Sequence, residues 1–221
     1  MGAHHGGITD RSINTLAFLV NETMLRRVAT GLVLVLLLAL PATAQDFQKG
    51  LAVYKRGDYA TALKEWRPLA VKGDARAQYK LGNMYKNGEG VSEDDAKAVK
   101  WYRKAAEQGH VRAQYDLGRS IAGGQGTLLN GIEAAKWFRK AAEQGHAMAQ
   151  YRLGLRYSMG TGVPKNNVRA YMWWSLAAMN GIENGALFRD RVAELMTPAQ
   201  IAEAQKLARE WLEKHKKKRI R

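Results

Sequence analysis

Ala77-Gln78-Tyr79-Lys80-Leu81-Gly82 recurs as Ala113-Gln114-Tyr115-Asp116-Leu117-Gly118 and again as Ala149-Gln150-Tyr151-Arg152-Leu153-Gly154. The step is 36 residues both times. A second stretch keeps that step: Trp101-Tyr102-Arg103-Lys104-Ala105-Ala106-Glu107-Gln108-Gly109-His110 returns as Trp137-Phe138-Arg139-Lys140-Ala141-Ala142-Glu143-Gln144-Gly145-His146. A fixed period of this size marks a stacked repeat, in which each unit buries its apolar face against its neighbours.

Each unit reads as two helices. Ala98, Trp101, Tyr102, Ala105 and Ala106 fall at i, i+3, i+4, i+7 and i+8, one apolar stripe, with Lys97, Lys100, Arg103 and Lys104 opposite. Ala77, Leu81, Met84 and Tyr85 make the other stripe. Glycines recur in register between the helices (Gly88 and Gly90, Gly124 and Gly126, Gly160 and Gly162) and after the second helix (Gly109, Gly145, Gly181). They predict turns that need positive φ. Gly73 lies one step earlier and implies a degenerate helix over Tyr59 to Val71, carrying Trp66. The middle unit is the weakest copy, with Ile121 where Tyr85 and Tyr157 stand, and Thr127-Leu128-Leu129-Asn130 where the first unit has Val91-Ser92-Glu93-Asp94.

On these motifs the chain resembles the Sel1-like repeat proteins, relatives of the tetratricopeptide repeat. The likeness covers about 75–182 and departs from the tetratricopeptide pattern, which has a 34-residue period. It implies an all-α fold, a right-handed α/α superhelical solenoid of helical hairpins with terminal capping helices. The expected organisation is a degenerate N-terminal repeat or cap (45–74), repeats at 75–110, 111–146 and 147–182, C-terminal capping helices (183–213) and a basic tail (214–221). At the front, Asp46 to Tyr59 begins a helix that shields the first full unit. At the back, Thr197-Pro198-Ala199-Gln200 opens a final helix as a capping box with Pro at the first helical position.

Met24-Leu25-Arg26-Arg27, the apolar run Val28 to Leu40 and Ala42-Thr43-Ala44 read as a secretory signal peptide over 24–44, cut before Gln45. At ~1.5 Å per residue the run spans roughly 20 Å, short of the ~30 Å core of a bilayer. No membrane span is therefore expected after cleavage, and the chain is read as periplasmic or secreted. Residues 1–23 fit neither signal nor repeat; an upstream start wrongly assigned and a genuine long leader are the two readings.

The chain carries a formal net charge of +15 and no cysteine. Basicity of this order suits nucleic acid, but export removes the chain from it, leaving anionic lipid, acidic wall polymer or acidic protein. The tail, with Lys214, Lys216, Lys217, Lys218, Arg219 and Arg221, reads either as a solvated, disordered end or as a weak polybasic contact with an anionic surface. Without cysteine there is no thiolate chemistry and no lipid anchor at the cleavage site. The disulfide that clips each repeat in the cysteine-rich branch of the resembled family is also ruled out.

No paired carboxylates, nucleophile–base arrangement or phosphate loop is legible, so no enzyme, cofactor or metal is expected. His110 and His146, one per repeat, read as structural groups at the inter-repeat turn. As a metal pair they would sit about 8–10 Å apart, too far to share an ion. Trp101, Trp137 and Trp173 read as core rather than as a ligand-stacking ladder, and His215 as a solvated tail residue.

What remains is a binding surface. Positions that vary while the first-helix framework holds are Lys80, Asp116 and Arg152, and Asn83, Arg119 and Leu155. Of these, Lys80, Asn83, Asp116, Arg119 and Arg152 are the candidate protein-binding residues. Their net positive charge points to an acidic partner. The resemblance implies an adaptor or regulator of the bacterial envelope. An accessory factor of cell wall or exopolysaccharide is the alternative, and a hydrolase like the cysteine-rich relatives a third reading.

Overall fold

The computed structural model describes residues 42–219, with side chains over 46–215. The 1–23 segment and the predicted signal segment up to residue 41 lie outside the described residues. By contacts the chain divides between Gln48 and Lys49, and the helical stack is the second unit, Lys49–Arg221.

Ten helices and no strand occur among the described residues: α1 (Ala42–Tyr54), α2 (Tyr59–Val71), α3 (Ala75–Asn87), α4 (Asp95–Glu107), α5 (Val111–Gly123), α6 (Gly131–Glu143), α7 (Ala147–Met159), α8 (Asn167–Met179), α9 (Glu183–Ala193) and α10 (Pro198–Arg219). Successive helices from α2 to α9 pack on one another in chain order, the contact pattern of a helical-repeat solenoid. The described residues are all-α, as expected.

Helix starts follow local chemistry. Asp74, Asp94, His110, Asn130, His146 and Asn166 each accept a backbone N–H of the first turn of the helix they precede. Asp58 does the same for α2, accepting Thr61 N at 3.0 Å. With Gly57 at φ +83°, this turn closes α1 at Tyr54, so the helix expected from Asp46 to Tyr59 begins about a turn earlier, at Ala42, and ends about a turn earlier. Gly90, Gly126 and Gly162 lie against the backbone at the start of α2, α4 and α6 (Tyr59, Asp95 and Gly131). A Cβ at any of them would strike that backbone, so these glycines set how closely one repeat approaches the last.

The core runs along the helix interfaces. Trp66, Tyr102, Phe138 and Trp174, spaced by the repeat step, are buried against Gly50, Gly82, Gly118 and Gly154 of the preceding helix in each pair. The aromatic series expected inside, Trp101, Trp137 and Trp173, is one residue out of phase with this seam. Trp137 and Trp173 are buried, but Trp101 is only half-buried. Polar bonds tie three helices at each step. Gln78, Gln114 and Gln150 donate through Nε2 to the carbonyls of Ala70, Ala106 and Ala142 at 3.0, 3.1 and 3.3 Å. Their Oε1 atoms accept from Gln108, Gln144 and Asn180 at 2.7, 2.8 and 3.0 Å.

Both terminal helices pack on α8 rather than chiefly on each other. Thr197 N donates to Gln200 Oε1 at 2.9 Å and Gln200 N to Thr197 Oγ1 at 3.3 Å, the predicted capping box. Two expectations about the tail are corrected. The helix continues through the lysines to Arg219 instead of ending in disorder, because Lys and Arg are good helix formers and suit a helix C-terminus. His215 is not a solvated group. Its ring stacks on Trp211 at 3.7 Å, with its nitrogens 2.7 Å from Trp211 O and 2.6 Å from Glu143 O.

Candidate functional site

The candidate residues lie on α3, α5 and α7, and the structure gives them unequal freedom. Lys80 is half-buried, its Nζ 4.9 Å from the Tyr54 ring and 5.6 Å from that of Trp66. Asn83 Oδ1 accepts the Tyr102 hydroxyl at 2.9 Å, a bond inside one repeat. Asp116 bridges repeats, accepting Tyr79 Oη at 3.0 Å and the Arg119 guanidinium at 3.4 Å. Arg119 and Arg152 are exposed. The structure thus joins Asp116 to Arg119 and leaves Arg152 as the open end of the row.

Burial controls the electrostatics of this face. It pushes the Tyr79 hydroxyl up to about 12, the Asp116 charge adding to the effect. It raises the Asp116 carboxyl above its ordinary value despite the hydrogen bond from Tyr79 and the nearby Arg119. Burial, and then the Arg112 charge, lowers Lys80 and His110. In His146 burial again dominates and lowers the ring, against the pull of Asp116.

Arg112 was not a sequence candidate, yet its charge bears on Tyr79, Lys80, His110 and His146 and its side chain is exposed. On α5 it precedes Asp116 by four residues and Arg119 by seven, spacings that put the three on one side of the helix. Its register equivalents are Arg76 and Met148, so the comparison of repeats gave no strong signal for it. The two histidines frame the same face, His110 stacked on Tyr79 and His146 on Tyr115, both at 4.6 Å.

A second basic surface lies on α4 and α6. A groove of about 390 Å³ is lined by Lys97, Lys100, Trp101, Arg103, Lys104 and Glu107. Lys104 and Lys140 sit over the Trp101 and Trp137 rings at 4.6 and 4.2 Å. These cations cover the indoles, which are not free stacking platforms. Among the described residues no cluster of His, Asp and Glu could hold a metal, and no helix is long and apolar enough to cross a membrane.

A model of the Sel1 repeat matches residues 75–110, 111–146 and 147–182. Among solved structures, a Sel1 repeat protein from Oxalobacter formigenes is similar with a TM-score of 0.62 and 36% identity, over 65% of this chain and 59% of that one. A protective antigen present in uropathogenic Escherichia coli strains, displaying an SLR fold, gives 0.55 and 29% over 77% of this chain and 45% of its own. An exopolysaccharide production negative regulator of Rhizobium leguminosarum bv. viciae is 39% identical over 49 residues, 22% of this chain and 18% of the regulator. The chain spans less than two thirds of the length of each of these relatives. Sel1 repeats are protein-interaction units, and the repeat match, the helical stack and the solved relatives agree: the chain belongs to the Sel1-repeat proteins.

Proposed function

We propose that the chain is a non-catalytic adaptor of the bacterial cell envelope, exported from a start at Met24 and binding an acidic protein on the α3–α5–α7 face. One observation carries the reading. Arg112, Arg119 and Arg152 are exposed, while the carboxylate among the candidates, Asp116, is engaged by Tyr79 and Arg119. A row of cations along stacked helices spreads contact over a long partner surface and speeds association with an anionic one. The test is photocrosslinking from position 152 in cells, followed by joint charge reversal of Arg112, Arg119 and Arg152. Capture of one stoichiometric protein, lost in the folded triple variant and weakened by salt, is the expected result. Unchanged capture moves the binding site elsewhere. Export is checked by mass spectrometry: an N-terminus at Gln45 is expected, and residues 1–23 on the exported chain would refute it.

A second reading is an accessory factor of exopolysaccharide or wall. The name of the Rhizobium relative and the basic groove around Trp101 favour it. Recovery of the chain with acidic polysaccharide, insensitive to the triple reversal, would select it.

A further inference from the structure

One spot recurs at three steps of the stack. Register positions 67, 103 and 139 are all Arg, and the positions they pair with, 97, 133 and 169, are Lys, Glu and Arg. The aromatic position beside them is Tyr85, Ile121 and Tyr157. At the first step Lys97 is neutralised by Asp94 at 3.0 Å, with its Nζ 5.5 Å from the Tyr85 ring. At the second, Arg103 and Glu133 form an ion pair between repeats at 2.6 Å. The third step differs. Arg139 Nη2 donates to Tyr157 Oη at 2.9 Å and Arg169 Nη1 donates to the same oxygen at 3.3 Å. Their Cζ atoms lie 6.0 and 5.6 Å from the ring. Asn166 stands where Asp94 stood, and neither arginine takes part in an ion pair among the described residues.

Two guanidinium groups held on one phenol oxygen repel each other, and an anion between them reverses the sign of that interaction. The donors also converge. Two incoming N–H bonds use both lone pairs of Tyr157 Oη, so its own O–H remains to donate outward. Each guanidinium keeps further N–H groups in its planar fork, a geometry that matches a carboxylate. The preceding step shows the group that fits, since there Glu133, in register with Arg169, gives its carboxylate to Arg103, the equivalent of Arg139. Arg169 is exposed, and Arg139 lines an open groove of about 330 Å³ with Glu133, Lys136, Trp137, Lys140 and Glu143, so each guanidinium is reached from solvent. Of its acids, Glu133 is already held by Arg103, and Glu143 forms no ion pair with Arg139.

We infer that Arg139, Arg169 and Tyr157 form a carboxylate-binding site that is completed from outside the chain. The carboxylate comes from an acidic side chain of a bound segment or from a small free acid. The site shares no residue with the row of Arg112, Arg119 and Arg152, so substitutions test it independently of the adaptor reading.

The test follows the arginine side-chain N–H signals of the full chain by NMR during titration. N-acetylglutamate should shift Arg139 and Arg169 saturably, and N-acetylglutamine amide, which carries no carboxylate, should not. Arg169→Gln should weaken binding by roughly tenfold or more. Arg169→Glu should abolish it and raise the melting temperature, because it restores the ion pair of the preceding step. A glutamate-containing tetrapeptide that binds roughly tenfold tighter than N-acetylglutamate identifies a protein segment as the source, and equal affinity a small acid. No saturable shift, unchanged affinity in Arg169→Gln, or tighter binding of inorganic phosphate than of N-acetylglutamate overturns the assignment.

Discussion

Positions 74, 110 and 146 open the first helix of each repeat with one aspartate and two histidines. His110 Nδ1 accepts the Ala113 amide and His146 Nδ1 the Ala149 amide, both at 3.2 Å. Only a ring unprotonated at Nδ1 can accept, so protonation costs the cap. His110 is faced by Tyr79, Asp74 and Arg112, and His146 by Tyr115, Asp116 and Arg112. Burial lowers both below the ordinary histidine value. The unfolded chain therefore binds more protons in this window. Stability from the neutral caps is complete above about pH 6.5 and is lost as pH falls through the lowered folded value. Joint His110→Asn and His146→Asn substitution keeps an acceptor at each cap without titration. Urea midpoints at about pH 7.5 and about pH 5.5 should fall more in the native chain than in the variant. Equal falls would remove the histidines from the acid response.

At the scale of one helix, the seam that matters is an aromatic side chain seated over a glycine. Phe138 meets Gly118 as Tyr102 meets Gly82 and Trp174 meets Gly154. Phe138→Ala empties such a seat and should cost ~3–5 kcal/mol, while the exposed Lys136→Ala should stay within about 0.5 kcal/mol. Coincident denaturation curves would show that the seam does not carry the helix pair. The period was legible because copies 36 residues apart match, and the paired helices of each unit and the Thr197 capping box because each follows from residues a few positions apart. Which aromatic faces inward was less so. Trp101 and Tyr102 are adjacent, about 100° apart around the helix, and the apolar stripe admits both. Only the facing glycine decides, and it belongs to another helix. The candidate face was legible in part for the same reason. Arg119 and Arg152 were found as variable positions, but the Tyr79–Asp116 bond and the effect of the Arg112 charge on Tyr79 depend on how repeats stack, which no local pattern encodes.

Across the whole stack, the last helix closes an apolar end. Ala204 and Ala208 are buried, and Trp211 meets Trp173 edge-on at 6.3 Å. His215 reaches past α8 to the carbonyl that ends α6, so α10 ties to two repeats at once. A chain ending at Met196 exposes this surface and should melt lower and self-associate, as read by calorimetry and light scattering. A monomer of unchanged stability would show that α10 does not serve as the cap. The glutamine bonds bear on how such a chain changes length. Gln78, Gln114 and Gln150 each reach a carbonyl 8 residues back and a side chain 30 residues on, at every step alike. A gene duplication that inserts one whole unit after Gly109 or Gly145 recreates each of these bonds at its new junctions, whereas an insertion there that is not a whole number of units breaks them. Lineages of this protein can therefore lengthen or shorten in whole units without passing through a misfolded intermediate.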